Sequence, residues 1–199
     1  MNETPRHTLR RWLLGITAGS LMLGGGVMAE DMTMKLTPRW EYVSDQVMGG
    51  VSSGELQLQD ADGLAYVTLT GTVSLENNGG FVQMAFDLAE ARAAVDPASW
   101  DGIELELRGN NEIYEVRLRT TQLERPWQSF RRAFSASENW KVMRFPFADF
   151  MPHRTEVAFD PAALRRIGIL AIGRTFEADI SVRAVRLFRR SARDDDQKG

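Results

Sequence analysis

Asp45 stands three residues before Met48-Gly49-Gly50 in this 199-residue sequence. Adjacent glycines allow a positive φ or a close backbone approach, and an aspartate beside them accepts hydrogen bonds from loop amides. Such a loop can face a ligand, with Asp45 as acceptor and Met48 beside it. The same residues also build a turn that satisfies Asp45 internally and carries Met48 into a core, which is the plainer reading. Asn77-Asn78-Gly79-Gly80 offers amides that both donate and accept, suited to sugar hydroxyls or a peptide backbone. Asn-Gly is equally a hairpin signal that needs no ligand.

Aromatic and cationic side chains supply the remaining candidates. Trp127 follows Pro126 among Arg125, Gln128 and Arg131, in a loop where an indole can stack on a sugar ring or anchor an interface. Trp40, Trp100 and Trp140 stand at strand entrances beside apolar neighbours and read as core. Arg117 and Arg119 share one strand face, with Arg108 expected on the neighbouring strand. Three guanidinium groups there could grip a carboxylate, although Glu104, Glu106 and Glu115 on the same face suggest a solvated salt-bridge lattice.

Catalytic chemistry finds little to work with. Beyond the N-terminal segment the only histidine is His153, and there is no cysteine, no H-E-x-x-H and no glycine-rich phosphate loop. Asp45, Asp101 and Asp149 match no standard calcium loop. The expectation is a non-enzymatic protein with no catalytic residue, metal or cofactor.

Short strands must position these side chains. Ile103, Leu105 and Leu107 alternate with charged residues, as do Tyr114, Val116 and Leu118, and Gly109-Asn110-Asn111 between them suggests a β-hairpin. Similar runs occupy Gly54–Gln59, Leu64–Thr70, Gly80–Phe86, Gln128–Phe134, Trp140–Phe145, Ile167–Ile172 and Asp179–Leu187. Many short strands at this spacing imply an all-β, antiparallel jelly-roll sandwich. Helix is confined to a short stretch from Leu88 to Val95 and to one or two turns after an Asp160 N-cap and Pro161.

The ends of the chain read as something other than domain. Arg6, Arg10 and Arg11 precede an uncharged run from Trp12 to Leu23 and a Val27-Met28-Ala29 ending. That order describes a signal peptide over residues 1–29, and Arg10-Arg11 resembles a twin-arginine signal. Export to the periplasm or outside the cell is expected, with a sandwich over residues 30–190 and a disordered tail over 191–199. Nine per cent aromatic and 26% charged residues fit one globular unit. The net charge of −3 becomes −5 without the first 29 residues, which hold three arginines and one acid. Neither value offers a footprint for nucleic acid, and no stable membrane span is expected once the signal is removed.

Four segments together resemble one family, the complex I intermediate-associated protein 30 domain. They are Trp40 through Ser52 with Asp45-Gln46-Val47-Met48-Gly49-Gly50, Gly71 through Phe81 with Asn77-Asn78-Gly79-Gly80, Trp100-Asp101-Gly102-Ile103 with Arg108-Gly109-Asn110 and Tyr114, and Trp140 with Phe145 through Pro152. The resemblance covers Trp40 to about Leu187 and implies a galactose-binding-like sandwich. It also implies a non-enzymatic role, since organellar members assist assembly of membrane-bound electron-transfer complexes. Gln83-Met84-Ala85 and His153-Arg154-Thr155 differ from the family's pattern, which often carries arginines there. The expected partner is therefore a protein, possible members of a membrane-bound complex included, and the alternative is a periplasmic carbohydrate-binding module recognising glycan.

Overall fold

A computed structural model describes residues 31–61, 63–91 and 96–190. The signal-peptide and tail readings lie outside the described residues. Among the described residues twelve strands form two six-stranded antiparallel sheets. They are β1 (Met32–Leu36), β2 (Glu41–Ser44), β3 (Ser53–Ala61), β4 (Leu64–Val73), β5 (Phe81–Asp87), β6 (Gly102–Gly109), β7 (Ile113–Thr120), β8 (Ser129–Ser135), β9 (Lys141–Pro146), β10 (Met151–His153), β11 (Leu164–Ile172) and β12 (Phe176–Arg189). The first sheet runs β3-β4-β12-β6-β9, with β1 also paired to β12, and the second runs β10-β8-β7-β11-β5-β2.

Alternation explains the core. Ile103, Leu105 and Leu107 of β6 and Val116 and Leu118 of β7 are at most 2% exposed, as are Phe86, Phe130, Phe145 and Phe188. The charged residues between them point outward from their sheets, so the two apolar faces meet and exclude water. Tyr114 is buried as well, with its hydroxyl 2.6 Å from Asn110 Oδ1 and accepting the Asp179 N–H at 3.0 Å. Burial pushes this phenol up to about 12.

The expected hairpin does not form. β6 pairs with β12 and β9, whereas β7 pairs with β11 and β8. The Gly109-Asn110-Asn111 segment carries the chain between sheets, with Asn111 at φ +66° and its N–H on the Ala136 carbonyl at 2.8 Å. Two alternating strands can bury their apolar faces side by side or across a sandwich, and periodicity is the same in both. Asn77-Asn78-Gly79-Gly80 also bridges the sheets, from β4 to β5, rather than closing a hairpin. Both asparagines lie in the left-handed region at φ +56° and +58°, which asparagine tolerates better than most residues.

Helix is as scarce as expected. The Leu88 stretch contributes α1 (Leu88–Ala91), and Asp160 accepts the Ala162 N–H at 2.9 Å to cap a single 3-10 turn at Pro161–Ala163. β1, β2 and β10 were not anticipated, being too short to show a period. Among the described residues no helix is long and apolar enough to cross a membrane.

Candidate functional site

A groove with a volume of about 530 Å³ runs over the outer face of the second sheet and touches all six of its strands. Its floor follows strand register. Arg117 of β7, Gly168 of β11 and Ala85 of β5 lie abreast, and so do Arg119, Arg166 and Asp87. Glycine and alanine at the centre of the first row keep the floor low between flanking side chains. Val47, Met48 and Asn78 rise on the β2–β5 side, and Pro126, Trp127, His153 and Arg154 on the β8–β10 side.

Asp45 holds up one wall without reaching the groove as a ligand group. It is 0% exposed, and its carboxylate accepts the Ser52 N–H at 3.0 Å, the Gly80 N–H at 2.5 Å, the Phe81 N–H at 3.1 Å and the Ser52 hydroxyl. Burial alone would raise its pKa, but these four donors outweigh burial and hold it below the usual carboxylate value. A methyl group at Gly50 or Gly79 would overlap this carboxylate, which is why the paired glycines flank it. Asp45 is thus engaged by its own loop at Ser52 and by the turn leading into β5 at Gly80 and Phe81. Met48 differs from the plainer reading: Gly49 at φ +89° ends the 3-10 turn Asp45–Met48, and Met48 stands 63% exposed on the groove wall rather than in the core.

The arginines are divided by the sandwich. Arg117 and Arg119 lie on the groove floor, whereas Arg108 sits on the outer face of the opposite sheet, stacked on Tyr66 and Trp140 at 5.5 and 5.1 Å. The expected single face shared by all three is therefore wrong, because β6 and β7 belong to different sheets. Arg117 binds Glu115 through Nε at 2.9 Å, and Arg131 reaches the same carboxylate at 3.3 Å. Arg166 spans Glu41 at 2.7 Å and Asp87 at 3.3 Å. Arg119 donates to the Arg125 carbonyl at 3.0 Å, which ties the Trp127 loop to the floor. Burial, with Arg165 and Arg166 close by, lowers the Arg119 pKa.

Tryptophans also divide. Trp127 is 49% exposed on the groove wall. Trp40 packs edge-to-face on Phe86 at 4.9 Å, and Trp100 packs against the core. Trp140 does not join the core cluster; it meets Tyr66 edge-on at 5.5 Å and lies under Arg183 as well as Arg108.

Of the residues singled out from sequence, the groove brings together Met48, Asn78, Arg117, Arg119 and Trp127. Asn77 is exposed at the same turn but does not line it, Asp45 lies beneath, and Arg108 is on the far side. Sequence reasoning missed Arg165, Arg166, Gly168, Ser129 and Leu170. Phase within β11 was the available signal, since Arg166, Gly168 and Leu170 alternate with the buried Ile167, Ile169 and Ala171. Gln83, His153 and Arg154, where the chain departs from the family pattern, all face the groove. His153 is held below the ordinary imidazole value by burial and then by Arg117, Arg131 and Arg154, against a weaker pull from Glu115. Among the described residues no three His, Asp or Glu side chains gather as metal ligands.

The fold has clear counterparts. The family 11 carbohydrate-binding module from Clostridium thermocellum, in complex with a β-1,3-1,4-mixed-linked tetrasaccharide, superposes with a TM-score of 0.61 at 11% identity, covering 78% of this chain and 94% of that one. The family 30 module of a cellulosomal cellulase of Clostridium thermocellum gives 0.57 at 12% identity, covering 81% and 99%. At such identities the likeness speaks for the fold, a galactose-binding-like jelly roll. No curated protein sequence matches the chain. Residues 31–183 match the sequence profile of complex I intermediate-associated protein 30, and the chain belongs to that family.

Proposed function

We propose that this chain is an exported, non-catalytic binding module whose working surface is the groove on the second sheet, and that the groove holds a glycan chain. The observation that carries this reading is the groove itself. It crosses every strand of the sheet, sets the half-exposed Trp127 indole on one wall, and lines its floor with amide and guanidinium donors. Stacking on an indole with side-chain hydrogen bonds to hydroxyls is a chemistry that suits pyranose rings. Adhesion rather than bond cleavage fits the lining, whose one imidazole is His153 and whose residues include no carboxylate to pair with it.

The test is a titration of neutral and charged oligosaccharides followed by tryptophan fluorescence and calorimetry. Binding that disappears in Trp127→Ala and in Gly168→Phe supports the reading. A side chain at Gly168 rises into the trough, where an added Cβ meets the Leu170, Ala85 and Gln83 side chains at ordinary contact distances of 3.4–3.5 Å, and a thermal melt of the variant checks that the fold is kept. Binding untouched by both substitutions places the ligand elsewhere and defeats the reading.

A second reading rests on family membership: the module assists assembly or stability of a protein complex in the envelope, with a protein partner in place of glycan. Repeated affinity capture of the same envelope protein by the wild-type chain, lost in Gly168→Phe, supports it. Export rests on the Arg6, Arg10, Arg11 and Trp12–Leu23 pattern, and fractionation that finds the chain in the cytoplasm overturns it.

A further inference from the structure

Charge around the groove is unbalanced. Arg117, Arg119, Arg154, Arg165 and Arg166 line it, with Arg131 opposite Arg117 on β8, and the lining includes no carboxylate. Three carboxylates answer these six cations: Glu115 serves Arg117 and Arg131, Glu41 serves Arg166, and Asp87 lies 3.3 Å from Arg166 and 3.9 Å from Arg165. Six against three leaves a local surplus of three positive charges, in a chain whose net charge is −3. Asp45, kept ionised beneath the wall by its four neutral donors, lies outside the lining and reduces this surplus by one without reversing it. Among the described residues Arg119 and Arg154 form no ion pair.

Two buried donors point to the same ligand. Ser129 is 3% exposed, faces the groove beside its register partner His153, and its Oγ has no hydrogen-bond partner within the protein. The Arg119 Nε is buried and likewise lacks an acceptor. Unmatched buried donors are costly and rare in native proteins. Both lie at the same end of the floor, where an incoming oxygen anion would answer them together. His153, the register partner of Ser129, has its pKa lowered first by burial and then by Arg117, Arg131 and Arg154, so these cations lie near the same end of the floor.

We infer that the groove takes a carboxylate-bearing saccharide, a chain of uronate type, with Arg119, Ser129 and the unpaired Arg154 gripping carboxylates while Trp127 stacks on a ring. Guanidinium groups match a carboxylate's planar pair of oxygens better than they match a hydroxyl. A peptide suits the site less well. The floor strands β7, β11 and β5 spend their backbone groups on one another, so a peptide lying along the floor finds no strand edge for its amides, the sheet's edges β2 and β10 standing only at the flanks. This inference rests on the glycan reading of the groove.

The experiment titrates oligogalacturonate, a neutral mixed-linkage glucan oligomer and an oligoglutamate peptide against the wild-type chain and against Arg154→Gln/Arg165→Gln. Neither arginine makes an ion pair closer than 3.9 Å, so the double variant keeps the fold. A second variant, Ser129→Ala, removes one grip without altering charge. Support is oligogalacturonate binding that exceeds glucan binding by about tenfold or more, weakens about tenfold in the double variant, and weakens between 50 and 500 mM NaCl as unscreened charge requires. Glucan bound as tightly as oligogalacturonate overturns the inference and leaves the glycan reading standing. Oligogalacturonate binding indifferent to both variants also overturns it. The peptide binding at least as tightly, with the same sensitivity, replaces the saccharide by an acidic protein. No response to either saccharide removes the glycan reading and this inference together.

Discussion

The two outer faces of this sandwich are built from the same residue types and do opposite things. On the first sheet, Glu104 is 5% exposed between Arg144 at 2.9 Å and Arg186 at 3.1 Å, and Glu106 is held by Arg183 at 2.5 Å. Each carboxylate has more than one cation and each cation is occupied, with Arg183 and Arg108 further covered by the Trp140 ring. The second face lies across a trough floored by Gly168 and Ala85, and its arginines outnumber the acids within reach. Alternating Glu and Arg on a strand therefore yields a closed lattice where cross-strand neighbours complement one another. The same alternation yields an open site where the opposing positions are glycine, alanine or another arginine.

The largest way to test that contrast is to remove the carboxylate beneath the groove wall. Asp45→Ala leaves the Ser52, Gly80 and Phe81 N–H groups without their acceptor, while the Ser52 hydroxyl keeps the Ser74 carbonyl at 3.2 Å, and is expected to cost about 3–5 kcal/mol of stability, measured by urea denaturation. A loss under about 1 kcal/mol would mean that the wall does not depend on this carboxylate. Glu104→Ala, in the closed lattice, is expected to cost about 2 kcal/mol, because two guanidinium groups lose their shared partner while still reaching water at their edges. Glu115→Gln, in the open face, is expected to cost about 1 kcal/mol or less and to tighten oligogalacturonate binding by freeing Arg117 and Arg131. Weaker binding in that variant would show that Glu115 positions the arginines instead of competing for them.

Acid should separate the faces by pH window. Burial and the cations Arg117, Arg131 and Arg154 hold His153 below 6.5, with Glu115 opposing them, so the folded chain binds fewer protons than the unfolded chain there. The stability this provides is complete above pH 6.5 and is lost as pH falls from 6.5 through the depressed value. The contribution of Glu106 is lost in the same direction but in a more acid window: hydrogen bonding from Arg183 outweighs burial and lowers its pKa from 4.5. Its contribution persists above pH 4.5 and is lost only as pH falls through its lowered value. Denaturation curves at pH 7.5, 5.5 and 3.5 should show the first step erased by His153→Gln and the second reduced by Glu106→Gln. This is the smallest effect of the four, and identical pH profiles for both variants would break the contrast.

Much of the sandwich is legible in alternation. A strand with one apolar face must bury that face whatever its partner, so Ile103–Leu107 and Tyr114–Leu118 announce themselves as half-buried strands. Their assignment to different sheets is not written in either run, because stacked and paired arrangements bury the same residues. The amide-rich turns show the same limit. Asn77-Asn78 and Asn111 announce positive φ, and a left-handed residue serves a crossing between sheets as readily as a hairpin.

Within the groove, Trp127, Asn78 and Met48 stand out by residue type and turn context, and Arg117 and Arg119 by their shared strand phase. Arg166, Gly168 and Ser129 acquire meaning only from neighbours distant along the chain. Local residue order by itself determined that this protein is a strand-built sandwich with charged outer faces, because period-two burial is a property of each strand alone. Only the tertiary structure decided which charged face closes on itself and which stays open. That outcome depends on which strands lie abreast and in what register, and hydrogen bonding between strands sets it over separations no local pattern spans.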